Sequence, residues 1–186
     1  LNPMRGRDRN VTFDYYLNKE SEEVKIEFLD AQGMVLRSFT GVPKKADEVE
    51  APPAGPFGGA PPRVPTAEGI NRFIWDMRYE GATVFPGMIM WAAQPQRGPA
   101  APTGQYTVRV TANGETKTRA FNVTLDPRLK AAGISEADLL EQFTLSMRVR
   151  DKVSEANQAV IDIRNIRAQV TDRLKKVSER RKNEIQ

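Results

Sequence analysis

Residues 104–124 read GQYTVRVTANGETKTRAFNVT, and this stretch decides the fold. Tyr106, Val108 and Val110 alternate with Thr107, Arg109 and Thr111, the period-two pattern of a strand buried on one face. Ala112-Asn113-Gly114 holds an Asn-Gly pair, which suits the two positive-φ positions of a tight hairpin turn, so residues 115–124 return as the partner strand. A lone hairpin cannot hide its apolar face from water, so the rest of the chain must supply further strands.

The upstream sequence does so. Residues 11–17 (VTFDYYL) place Val11, Phe13, Tyr15 and Leu17 on one face, and residues 23–30 repeat the pattern with Val24, Ile26 and Phe28. Asp30-Ala31-Gln32-Gly33 reads as a tight turn into a strand at about 34–40, and these three segments are expected to form one antiparallel unit. Residues 71–77 (NRFIWDM) set Phe73, Trp75 and Met77 on a common face, and a short strand is expected at about 88–92. Between these blocks, residues 41–69 hold seven of the 13 prolines, from Pro43 to Pro65, and predict a long irregular connection. Pro53-Ala54-Gly55-Pro56 within it fits a PxxP-type pattern, of a kind too common to carry weight. Pro95, Pro99 and Pro102 mark another loop.

Downstream, Asp126-Pro127-Arg128 ends the β-region and Ser135 reads as a helix N-cap, with Glu136 and Asp138 in the first turn. Neither proline nor glycine follows. Val149, Ala156, Ile163, Val170 and Val177 recur every seventh residue, and Val153, Val160, Arg167 and Leu174 form a second series beside them. The expected architecture is mainly β plus α. Residues 1–127 form an antiparallel sandwich of the Ig-like or fibronectin-III-like type, and residues 128–186 a linker and a long coiled-coil-like helix. Such a helix outruns a sandwich of this size, so its seam calls for another helix, from a downstream segment or a second copy.

Composition narrows the chemistry. The 186 residues contain no cysteine and no histidine, which removes disulfides, thiolate chemistry, Ser-His-Asp catalysis and the usual zinc sites. The formal charge of +4 comes from 28 basic and 24 acidic residues spread along the chain. Clusters at Arg5, Arg7 and Arg9, at Lys175-Lys176 and at Arg180-Arg181-Lys182 read as solvated surface, not as a nucleic-acid face. No apolar run approaches the roughly 20 residues of a membrane-spanning helix, no leader pattern is visible, and the start at Leu1 suggests excision from a longer chain. Asn10-Val11-Thr12 and Asn122-Val123-Thr124 fit a glycosylation sequon and carry no weight.

Asp76, Glu80 and Asp126 are the acids to examine for carboxylate catalysis, although no spacing brings two of them across a cleft, and Asp76 reads better as a strand-ending acceptor. Trp91, Tyr79 and Phe85, with Trp75, could stack against sugar rings; for Trp75 the sandwich core is the better reading. Met88 and Met90 flank Trp91 at strand spacing and suit an adaptable contact with a partner. Tyr106 reads as a structural tyrosine whose hydroxyl needs an acceptor.

Two families share stretches with the chain. Gly69-Ile70-Asn71-Arg72-Phe73-Ile74-Trp75-Asp76, with residues 101–110 (APTGQYTVRV), resembles the Ig-like domain of flagellar hook-capping proteins. Over nearly the whole length the chain resembles the C-terminal region of bacterial sortilin-like BNR-repeat proteins, often labelled glycosyl hydrolases. The shared residues are 71–82 (NRFIWDMRYEGA), 85–91 (FPGMIMW) and 148–157 (RVRDKVSEAN). This resemblance implies a periplasmic or secreted parent with an upstream β-propeller followed by this module, to which any hydrolase activity would not belong. No catalytic residue of that family maps onto the chain, and no cofactor is implied. The function expected is interdomain docking and helix–helix association, with a carbohydrate-binding accessory domain, contacting polysaccharide through Trp91, as the alternative.

Overall fold

A computed structural model describes residues 10–43, 62–89 and 94–183. Eight strands come first: β1 (Val11–Leu17), β2 (Val24–Leu29), β3 (Val35–Gly41), β4 (Gly69–Trp75), β5 (Arg78–Glu80), β6 (Arg97–Ala100), β7 (Gly104–Ala112) and β8 (Glu115–Val123). Two helices follow, α1 (Pro127–Ala131) and α2 (Glu136–Asn183). Mainly β plus α, with a sandwich ahead of a long helix, is therefore the observed class.

The quoted hairpin forms as its residues require. Asn113 and Gly114 take φ of 51° and 80°, the paired left-handed conformations of a hairpin whose twist matches its strands. β7 and β8 pair in unbroken register from Gly104–Val123 to Ala112–Glu115. β2 lies on the other side of β7 and β3 beyond it, giving one sheet in the order β3-β2-β7-β8. At the β2–β3 turn, the Asp30 carboxylate accepts from the backbone N–H of Gln32 at 3.0 Å and of Met34 at 2.8 Å. Gly33 there has φ 81°.

β1 does not join that sheet. The expected unit of three consecutive strands is corrected: β1 pairs antiparallel with β4, from Val11–Trp75 to Leu17–Gly69, in a separate two-stranded layer. Residues 18–23 carry the chain across the sandwich instead of turning it back in plane. The crossing is fixed where the Ser21 N–H donates to the Thr66 carbonyl at 3.0 Å.

The two layers enclose an aromatic core. Phe28 of β2 stacks on Trp75 of β4 at 4.1 Å between centroids, and Phe39 of β3 meets Phe73 of β4 at 5.0 Å. Val24, Ile26, Phe28 and Trp75 are fully buried, so Trp75 belongs to the core as read from its alternation. The Trp75 indole N–H donates to the Arg78 carbonyl at 3.1 Å, and the Tyr106 hydroxyl to the Pro102 carbonyl at 2.8 Å, so neither polar tip is stranded. The end of the Pro-rich connection is pinned into this core. Val64 is fully buried, and the Tyr15 hydroxyl donates to the Pro65 carbonyl. Gly41 is required opposite Val64, because a Cβ there would sit 2.2 Å from the Val64 carbonyl oxygen. Residues 44–61, with the PxxP-like stretch, lie outside the described residues.

β4 ends at Trp75, not at residue 77. Met77 takes φ 55° and turns the chain out of the strand, although its side chain still packs against the core. The chain then forms β5, which pairs with β6. Residues 97–100 were expected to be loop; they form a strand because a two-stranded ribbon needs few donors, so Pro99, which lacks one, is tolerated on an edge. Met88 and Ile89, expected in a strand, are irregular, and residues 90–93, including Met90 and Trp91, lie outside the described residues. The β5–β6 ribbon sits between the sandwich and α2. Arg37 of β3 bonds the Asp76 carboxylate at 3.3 Å and lies 3.9 Å from Glu80, while β6 packs against the helix.

Candidate interaction surface

The helix α2 starts where its cap chemistry dictates. The Ser135 hydroxyl accepts from the Asp138 N–H at 3.2 Å, and the Asp138 carboxylate accepts in return from the Ser135 N–H at 2.8 Å, a reciprocal cap. The backbone and hydroxyl donors of Ser135 hold the Asp138 carboxyl below its ordinary range. Ahead of it, the short helix α1 replaces the expected linker, capped by the Asp126 carboxylate, which accepts from the Arg128 N–H at 2.9 Å. With no proline or glycine inside it, α2 runs for 48 residues, about 72 Å at 1.5 Å per residue.

One face of α2 grips the segment after β5, and it does so with polar groups. The Thr83 N–H donates to the Ser154 hydroxyl at 3.1 Å, and the Asn157 side-chain amide donates to the Thr83 carbonyl at 2.6 Å. Both backbone groups of one loop residue thus find partners on one helix. Arg150 donates to the Glu80 carbonyl at 3.3 Å and Arg164 to the Pro86 carbonyl at 2.9 Å. The Arg164 guanidinium also lies over the Phe85 ring, 4.5 Å from its centroid, and Tyr79 meets Phe143 at 4.8 Å. Arg150, Ser154, Asn157 and Arg164 lie at helical spacings of three and four, one continuous face. Beside this contact runs an open cleft of about 470 Å³ between α2 and β6, bordered by Leu145, Val149 and Val153 on the helix and by Pro95, Arg97 and Pro99 opposite.

The apolar seam runs beside this contact and outlasts it. Val153 and Val160, nearest the docked face, are half-buried, whereas Val149, Ala156, Ile163, Val170, Leu174 and Val177 are exposed. Every residue from Asp162 to Ser178 is exposed, and past the Arg164 contact the helix touches no other element among the described residues and continues as an arm. On that arm Ile163, Ile166, Val170, Leu174 and Val177 are between 51% and 65% exposed. Asn157 and Ser154 are not singled out by the sequence, since small polar residues inside a helix read as solvent-facing, and Thr83 contributes only its backbone.

The remaining candidates are placed as follows. Tyr79 and Phe85 are half-buried against Phe143 and Arg164 of the same chain, and Trp91 lies outside the described residues. Met88 is half-buried with its sulfur 3.8 Å from the Asn157 amide, so it faces the chain's own helix. Asp76 accepts from the Arg78 N–H at 3.2 Å and from Arg37, the strand-ending role read from the sequence. Glu80 also faces Arg37, and Asp126 is a cap with Arg128. Burial pushes the Tyr15 phenol up to about 12 and moves Tyr79 and Tyr106 upward as well. Among the described residues no group of three or more acids is placed to hold a metal ion, and no helix is long and apolar enough to cross a membrane.

A second exposed apolar surface lies on the outer face of β1–β4. Tyr16 and Ile70 stand opposite each other at 70% and 79% exposure, beside the Asp14–Arg72 ion pair at 2.8 Å and the exposed Ile74. No family model, curated protein or solved structure matches the chain.

Proposed function

We propose that this chain is a non-catalytic interaction module of a larger exported protein, in which the sandwich docks on an upstream domain and the α2 arm pairs with another helix. The observation that carries this reading is the arm itself. It holds five exposed apolar side chains, four of them in the two seven-residue rows and Ile166 beside them, on a helix whose neighbouring face is already fastened to the β5–β6 region. Each would lose its remaining exposed area on pairing, gaining on the order of 1 kcal/mol, and a partner seam contributes a similar amount. That gain is opposed by several kcal/mol of lost freedom, so the pairing is reversible and not permanent.

The sandwich contributes the second half of the proposal. β1 is its first strand, and Tyr16, Ile70 and Ile74 lie on the same layer, where an upstream propeller would join the chain. The likeness of residues 71–91 and 148–157 to the post-propeller region of sortilin-like BNR-repeat proteins supports that context and the periplasmic or secreted setting.

The test uses a synthetic helical peptide of about five heptads with a Val/Leu seam and uncharged Gln flanks. The chain is expected to bind it, and Ile163→Asp with Val170→Asp to lose that binding while remaining folded. Failure of the unaltered chain to bind would remove the proposal.

A further inference from the structure

From Leu145 to Ser178 the charges on α2 are sorted around the helix axis. With Val149, Ala156, Ile163, Val170 and Val177 as one seam row and Val153, Val160, Arg167 and Leu174 as the other, two flanking rows follow from the seven-residue period. One flank runs Arg150, Asn157, Arg164, Thr171, Ser178; the other runs Leu145, Lys152, Ala159, Ile166, Arg173. From Leu145 to Ser178 the seam and its flanks therefore carry Arg150, Lys152, Arg164, Arg167 and Arg173 and no acid at all. The acids of the same stretch, Asp151, Glu155, Asp162 and Asp172, occupy the two positions farthest from the seam.

The structure divides these cations. Arg150 and Arg164 are engaged with the Glu80 and Pro86 carbonyls, and Arg150 also pairs with Asp151 at 2.5 Å. Lys152 pairs with Glu155 at 2.6 Å in full exposure, a contact of little energetic weight. Arg167 and Arg173, on the free arm, make no ion pair among the described residues, and Asp172 is taken by Lys176 at 2.7 Å. The available seam is a narrow apolar stripe edged by positive charge, of which Arg167 and Arg173 have no ion pair among the described residues.

We infer that the partner of this arm is a helix whose own flanking positions are acidic, and not a second copy of the chain. The inference rests on the proposed pairing role and adds the chemistry of the partner. Two copies side by side in parallel would set Arg167 against Arg167 inside the seam. Antiparallel, Lys152 of one copy falls beside Arg173 of the other, and no acid in the contact rows relieves either arrangement. An anionic bilayer would also attract the cations, but a surface-lying helix holds itself there with a broad face rich in Trp, Phe and Leu. This seam is narrow, built mostly of Val, Ile and Ala, and contains no aromatic residue after Phe143. Strict seven-residue spacing is what a partner helix requires and a bilayer does not.

The experiment adds two peptides to the Gln-flanked one, identical except for Glu or Lys at the flanking positions, and titrates each into the full chain at low and high salt. Expected is binding of the Glu peptide about tenfold tighter than the Gln peptide, weaker binding of the Lys peptide, and a spread that collapses at 1 M salt. Lys152→Gln with Arg173→Gln should sharply reduce the Glu preference and leave Gln-peptide affinity in place. Equal affinity for all three peptides would overturn the acidic-partner inference while leaving the pairing role standing. So would a concentration-dependent dimer in sedimentation that the Glu peptide cannot displace, or tight binding to phosphatidylglycerol vesicles by a chain that ignores the Glu peptide. Binding to none of the three would remove the pairing role itself.

Discussion

Replacing Asn157 by alanine tests the attachment of the long helix to the sandwich. Asn157 is the buried polar residue of α2, and its amide donates to the Thr83 carbonyl at 2.6 Å while Ser154 accepts from the Thr83 N–H. Truncation removes the donor and leaves a half-buried carbonyl facing a methyl group. An orphaned buried acceptor costs about 1–3 kcal/mol, and partial access of water to Thr83 puts the expected loss at about 1–2 kcal/mol. For a chain of this length that corresponds to a fall of roughly 3–6 °C in Tm. Urea unfolding followed by both tryptophan fluorescence and far-ultraviolet ellipticity supplies the free energy. Ser154→Ala alone should cost less, and the double variant should fall short of the sum, because both side chains hold one loop residue. A loss below about 0.3 kcal/mol in Asn157→Ala, or strict additivity with Ser154→Ala, would refute the claim that this pair fastens the helix.

Three further outcomes are expected. Gly98→Ala should destabilise by about 2 kcal/mol or more, because the added Cβ would fall 2.0 Å from the Tyr79 carbonyl oxygen and force β5 and β6 apart; unchanged thermal unfolding would contradict that packing. Glu27, held below its ordinary range by hydrogen bonds from Arg109 and then Lys25, has a depressed folded-state value. Its contribution is therefore present above the unfolded value near 4.5 and fades as pH falls through the folded one, so the unaltered chain should lose more stability below pH 4.5 than Glu27→Gln; parallel pH profiles would count against it. Ile163→Asp with Val170→Asp should change the stability of the isolated chain by no more than about 0.5 kcal/mol, since both positions are exposed; a large loss would mean the seam is covered within the monomer.

How much of this was legible in the sequence follows from the range of each interaction. The β7–β8 hairpin and the β2–β3 turn are local, and their turn residues announce them, as does the alternation that buries Phe28, Phe73 and Trp75. The partner of β1 is not local. A strand of alternating residues states which face is buried but not which strand lies beside it, so β1 was expected beside β2 and pairs with β4. β6 was hidden by Gly98 and Pro99, whose composition signals a loop, although the glycine is there to let two backbones touch. On α2 the seam was readable because its residues are apolar. The docking face was not, because Ser154 and Asn157 are residues that normally face water. The charge sorting is hidden for a related reason: summed along the chain the two signs nearly cancel, and only their placement around the helix separates them.

Hydrogen exchange measured residue by residue along α2, before and after adding the Gln-flanked peptide, tests the central claim most directly. The account predicts protection from Phe143 to Ile161 in both states, with rapid exchange from Ile163 to Ser178 in the lone chain that slows once the peptide is present. Strong protection of that arm in the isolated monomer, or none gained with the peptide, would contradict it.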